Sequence, residues 1–242
     1  MKKSFVAVPL LFLSLSLIFG QQPLKNFEPD SLSTAYFVQL KKEFGINKTY
    51  PQPFEKQILI ALSYYPELKD TPIHFRIKER HTPLETRSSW AGLFKVQEKR
   101  DYEITISDST EPMLTPILFQ NLPFNAQIGV IGHELGHVIE FSSMVTLRIM
   151  KHAANSISSN YVDHFEFETD SICIVHGLGY QLLAWSTYVR QVMHKDNWDG
   201  ADNIHKPMMR ERYMNPSTIK KRITQLPLYQ GITMDDTSVH VI

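Results

Sequence analysis

Val130-Ile131-Gly132-His133-Glu134-Leu135-Gly136-His137-Val138-Ile139 is the stretch around which the chain of 242 residues is organised. Placed on a helix, His133 and His137 lie one turn apart and point the same way. Two neutral imidazoles at that spacing close on one metal ion. Zinc, one ion per chain, best suits nitrogen ligands in a tetrahedral shell. Glu134 follows His133 directly and need not be a ligand. It is placed instead to take a proton from a water held at the metal. Leu135, Val138 and Ile139 are apolar, and Glu134 is the one acidic or basic side chain besides the histidines in this run. That pattern belongs to a helix buried on most of its circumference.

Two ligands on one helix require a third from elsewhere. A histidine six residues after His137, with glycine between, would make the site that of a metzincin, but position 140 is Glu and position 143 is Ser. The better source is Asp163-His164-Phe165-Glu166-Phe167-Glu168-Thr169-Asp170. Glu166 and Asp170 are one helical turn apart, and Phe165, Ile172, Ile174 and Val175 continue a largely apolar segment. Glu166 is placed to project onto the metal while Asp170 accepts the N–H of a ligating histidine, fixing its tautomer. Glu168 competes for the ligand role, with His164 and Asp163 as further alternatives. Glu168 faces a different side of the helix from Glu166, and only Glu166 has an aspartate one turn on.

With these residues in place, the chain resembles the gluzincin metallopeptidases, which pair His-Glu-x-x-His on one helix with Glu-x-x-x-Asp on a following one. Thermolysin-like enzymes and the CAAX- and HtpX-type proteases share that logic. The run Glu166 to Asp170 is most similar to the last group, with Thr169 where alanine is usual. The resemblance covers Val130 to Asp170, and the multi-spanning membrane core of the CAAX proteases is absent from the sequence. It implies an α+β, zincin-like fold, mostly helical, with a small antiparallel or mixed sheet before the metal helix. It also implies a zinc metalloendopeptidase in which Glu134 is the general base and zinc is held by His133, His137 and Glu166. Such hydrolases commonly add a Tyr, His or Arg that stabilises the oxyanion. Tyr213 and His205 are the candidates, beside the basic run Lys206 to Arg212.

Outside that core the sequence sets the context. Met1 to Gly20 reads as a secretory signal peptide, with a short basic start, an apolar core from Phe5 to Phe19 and a small residue before Gln21-Gln22-Pro23. An uncleaved anchor is the alternative, and contact with a membrane is expected only in that case. Export to a bacterial periplasm or medium follows, with residues 21–242 as one domain. The 25 Lys and Arg balance the 25 Asp and Glu, which gives no footing for nucleic acid. A peptide or protein substrate is the expected partner. The single cysteine, Cys173, excludes an internal disulfide and suits a buried helix position. A catalytically silent binding module built on the same zinc fold, or a membrane-anchored quality-control protease, are the competing readings.

Periodicity places the remaining elements. Helices are expected over Leu32–Phe44, stopped by Gly45, and over Phe54–Tyr65. Ile73–Lys78 alternates as a strand, with His74 on its polar face. Trp90–Gln97 and Tyr102–Ser107 are expected to pair as a hairpin, with Tyr102–Ser107 the edge strand that holds a substrate. Asn125 is expected to cap the metal helix and Met144–Ala154 to continue it. A further helix is expected over Val162–Arg190 with a break near Gly177–Gly179. His176 lies off the face of Glu166 and reads as structural. Asn215-Pro216 opens a last short helix.

Overall fold

A computed structural model describes residues 21–80, 82–88, 100–156, 158–200 and 210–231. Its centre is the helix α3 (Phe124–Ser143), in which every residue from Ala126 to Val138 is buried. Around it lie α1 (Thr34–Phe44), α2 (Glu55–Ser63), α4 (Thr146–Asn155), α5 (Ser159–Cys173), α6 (Gly179–Met193) and α7 (Pro216–Gln225). A small sheet of β1 (Lys48–Thr49), β2 (Ile73–Ile77), β3 (Leu84–Ser88) and β4 (Tyr102–Ile106) precedes α3 in the chain. The architecture is α+β, mostly helical, with a mixed sheet. No described helix is long and apolar enough to cross a membrane.

Local chemistry explains the boundaries. Ser33 accepts the Tyr36 amide at 3.1 Å and caps α1, while Lys41 and Lys42 complement its C-terminal end before Gly45. Asn215 and Pro216 start α7 as the sequence predicts. Between α5 and α6 the helix opens into a π turn, Ile174–Leu178, where Gly177 takes φ 98°. A side chain there would be strained in backbone and would crowd the ring of Tyr64.

Several expectations are corrected. The helix α3 is preceded by Pro123 at its cap position, and Asn125 sits inside its first turn. There Asn125 accepts the Phe27 amide and donates to the Phe27 carbonyl, tying down the start of the chain. Met144 is extended (φ −90°, ψ 134°), so α4 is a separate helix. The Arg100 guanidinium donates to the Met144 carbonyl and to Thr146 Oγ1, holding that break.

The sheet order is β1-β2-β4-β3, with β2 parallel to both β1 and β4, and β3 antiparallel to β4. Tyr102–Ile106 is therefore an interior strand, because its two sides are taken by Ile73–Ile77 and Leu84–Ser88. Among the described residues the edge beside α3 is β3, whose partner residues run from Leu84↔Ile106 to Ser88↔Tyr102. The strand expected at Trp90–Gln97 lies outside the described residues, as do Met1–Gly20 and His205. His74 is half-buried and meets Thr49 Oγ1 through Nδ1 at 3.0 Å.

The helices α5 and α6 approach α3 closely along Gly129, Gly132 and Gly136. A Cβ at Gly129 would stand 2.2 Å from the Gln181 carbonyl oxygen, one at Gly132 2.6 Å from the Leu178 side chain, and one at Gly136 2.9 Å from Thr169. The first of these obstacles is backbone and cannot turn aside. Gly129→Ala is expected to destabilise the fold by about 1–3 kcal/mol, seen as a lower urea midpoint with an unchanged slope. An unaltered midpoint would contradict the close packing of α3 on α6.

Candidate metal centre

The helical period of α3 turns His133 and His137 to one side, and the close approach of α5 brings Glu166 to meet them. His133 Nε2 and His137 Nε2 stand 3.1 and 3.2 Å from the same oxygen, Glu166 Oε2. The three potential ligand atoms lie within 4.8 Å of one another. The two rings are nearly perpendicular, 87° apart, so their nitrogens converge from different directions. His133, His137 and Glu166 form a group that could hold a metal ion.

Each imidazole is anchored by its other nitrogen. His133 Nδ1 donates to Asp170 Oδ1 at 2.8 Å. His137 Nδ1 meets Thr169 Oγ1 at 3.1 Å, and that hydroxyl donates to Glu140 Oε2 at 2.7 Å. Both Nδ1 atoms therefore face acceptors, which leaves Nε2 as the inward lone pair that a metal requires. Two imidazole nitrogens and a carboxylate oxygen, with both rings held from behind, are a donor set that fits zinc.

The carboxylate and the two imidazoles act strongly on one another's protonation. Burial pushes the Glu166 carboxyl up, but His137 and His133 beside it hold it well below the usual carboxylate range. Burial pushes His137 down, and Glu166 and Glu140 more than reverse this, raising it to about 9. His133 is likewise raised, by Asp170 and Glu166 acting against its burial.

Glu134 projects away from this convergence towards the sheet. Its Oε2 accepts from Thr86 Oγ1 at 2.6 Å, so the strand β3 holds the carboxylate in place. Burial raises its carboxyl above the usual range despite the neighbouring His137 and His133. Tyr213 closes the other side, its ring 5.6 Å from that of His133 and 5.6 Å from that of Trp185. Burial and the nearby Glu166 and Glu134 keep its phenol protonated well above the ordinary range. Three bonds pin its loop: Met214 N to Asp170 Oδ2 at 2.7 Å, Arg190 Nη2 to the Tyr213 carbonyl at 3.0 Å, and Ser186 Oγ to the Met214 carbonyl at 2.8 Å.

The competing third ligands are placed elsewhere. Glu168 and His164 are exposed, and Asp163 is buried in an ion pair with Arg212 at 2.7 Å. That pair also occupies Arg212. His176 lies apart, stacked on Tyr65 and bonded to Glu67 at 2.6 Å. Three residues at the centre escaped the sequence reading: Thr86, Glu140 and Thr169. Thr169 carried a signal, because it lies three residues after Glu166 and shares its face. Glu140 had the same relation to His137. Thr86 had none, since Leu84–Ser88 lacks an apolar alternation.

Comparison of the chain with protein-family models, with curated proteins and with solved structures gives no match. The residues and their geometry are what identify the site.

Two predictions follow from the donor arrangement. Elemental analysis of protein purified without chelators should find about one divalent metal per chain. Glu166→Ala should lose most of it and Glu168→Ala should keep it, whereas full metal in Glu166→Ala would remove Glu166 from the ligand set. Thr169→Val should weaken metal affinity about 10–100-fold in a competitive chelator titration. Thr169→Ser should restore it, and equal affinities in all three would show that the hydroxyl does not orient His137.

Proposed function

We propose that the chain is a zinc-dependent hydrolase of peptide bonds, built in the manner of the gluzincins it resembles and exported through Met1–Gly20. The observation that carries the reading is Glu134. A structural zinc site closes with four ligands, whereas three donors here face a cleft, and a carboxylate outside the donor set stands beside them, held by Thr86.

The chemistry zinc supplies when bound is Lewis acidity, which makes a water nucleophilic near neutral pH and polarises a carbonyl. His133, His137 and Glu166 are the residues that would hold it. Glu134 takes the proton of the attacking water as its oxygen bonds to the peptide carbon. It then delivers that proton to the amine nitrogen as the C–N bond breaks. The raised proton affinity of its buried carboxyl suits both transfers. The protonated phenol of Tyr213 donates to the carbonyl oxygen as it gains negative charge. The strand β3 lies alongside and is the outer strand among the described residues, and backbone groups there would hold an extended peptide. Thr86 links that strand to the base.

Glu134→Ala should retain its metal while hydrolysis of a fluorescent casein falls by about 10²-fold or more. Tyr213→Phe should lower kcat by about 10²-fold with little change in KM. Retained hydrolysis in Glu134→Ala would remove the carboxylate from the mechanism and point to a binding module.

A further inference from the structure

The most exposed large apolar side chain among the described residues is Leu147, at 77 %, and Val145 close by is 61 % exposed. Both lie where α4 begins. The extended Met144 turns the chain there, and the bonds of Arg100 to the Met144 carbonyl and to Thr146 hold the corner. The helical period sets Leu147, Lys151 and Ala154 on one face of α4, with Arg148 at its margin. All four are exposed, whereas Ile149 on the opposite side is buried. No acidic residue occurs between Glu140 and Asp163, so Arg148 and Lys151 have no carboxylate on their own segment.

Scattered apolar side chains on a surface are ordinary, but these stand together on a fixed corner and are flanked by cations. A valine, a leucine and an alanine present far less than the roughly 800 Å² per partner that a stable protein interface buries. A bilayer asks for less. It takes a few apolar side chains into the acyl boundary, while lysine and arginine meet anionic headgroups with their stems along the apolar surface. We propose that α4 docks on a membrane surface rich in anionic phospholipid, with Val145 and Leu147 inserted and Arg148 and Lys151 on the headgroups. This docking is separate from any anchoring by Met1–Gly20, and it does not rest on the reading of the cleft as a hydrolase. His152, on the same helix, lines the hollow over the metal group. Docking therefore sets that hollow across the width of one helix, about 10 Å, from the lipid.

The chain has one cysteine, Cys173, and it is buried. Leu147→Cys and Val38→Cys therefore each accept an environment-sensitive fluorophore at one place. Val38, 62 % exposed on α1, is the reference. The full labelled chain is titrated with vesicles of phosphatidylcholine, alone or mixed with phosphatidylglycerol. The label on residue 147 should shift to the blue on the mixed vesicles and not on the neutral ones, while the label on residue 38 stays unchanged. Added salt should weaken the response. Arg148→Glu with Lys151→Glu should raise the lipid needed for half of it at least about tenfold. Lys151→Gln alone repeats the charge test, at about fivefold, where that pair does not fold. No shift at residue 147, equal shifts at both residues, or equal shifts on both lipids would overturn the proposal. So would a shift that grows with protein concentration in the absence of vesicles, which assigns the face to a second copy of the chain.

Discussion

Asp170 holds the two halves of the site with one carboxylate. Its Oδ1 accepts from His133 on α3, and its Oδ2 accepts from the Met214 amide in the loop that carries Tyr213. The residue is fully buried, so each lone pair spent on one partner is unavailable to water and must be satisfied by protein. A buried carboxylate with only one partner would be costly. The geometry of His133 and the position of Tyr213 are thus coupled, and neither can shift without leaving an oxygen of Asp170 unpaired.

That coupling depends on distance, and distance depends on the small residues of α3. Gly132 and Gly136 face Cys173, Leu178 and Thr169 at separations that admit no Cβ without displacement. Larger residues would push α5 outward by more than a hydrogen bond tolerates. Glu166, Thr169 and Asp170 would then lose their histidines together. The two imidazoles are nevertheless held differently. His133 Nδ1 meets the Asp170 carboxylate at 2.8 Å, whereas His137 Nδ1 meets the Thr169 hydroxyl at 3.1 Å and the Glu140 carboxylate at the longer 3.4 Å. The hydroxyl of Thr169 supplies a polar contact from α5 to His137 that an apolar side chain would lack.

What was legible in the sequence was local. The ligand spacing on α3 and the Glu166–Asp170 spacing on α5 follow from helical periodicity, which needs no knowledge of distant residues. The break near Gly177, the buried Cys173 and the start of α7 were legible for the same reason. The sheet was not. Tyr102–Ile106 looks the same whether it lies at an edge or inside, because its position depends on a parallel partner about thirty residues earlier in the chain. Leu84–Ser88 has no alternation, since one of its faces meets α3 through polar Thr86 rather than through an apolar side chain. Asn125 has the chemistry of a cap but is committed to Phe27, a contact between residues 98 positions apart. Local capping preference yields to such long-range demands.

The same division separates the ligands from what surrounds them. A metal cluster is recognisable because its donors must be of a few residue types at a few spacings. The residues that orient those donors obey a weaker rule, since any group that accepts an N–H will serve. Asp170 was readable as a carboxylate one turn from a ligand, while Thr169 and Glu140 needed the packed helices to be seen. Cleft walls obey the weakest rule of all. Val130, Trp185 and Val189 differ in the sequence from no other core residue, and only the folded chain separates the apolar side chains that fill the core from those that border an opening.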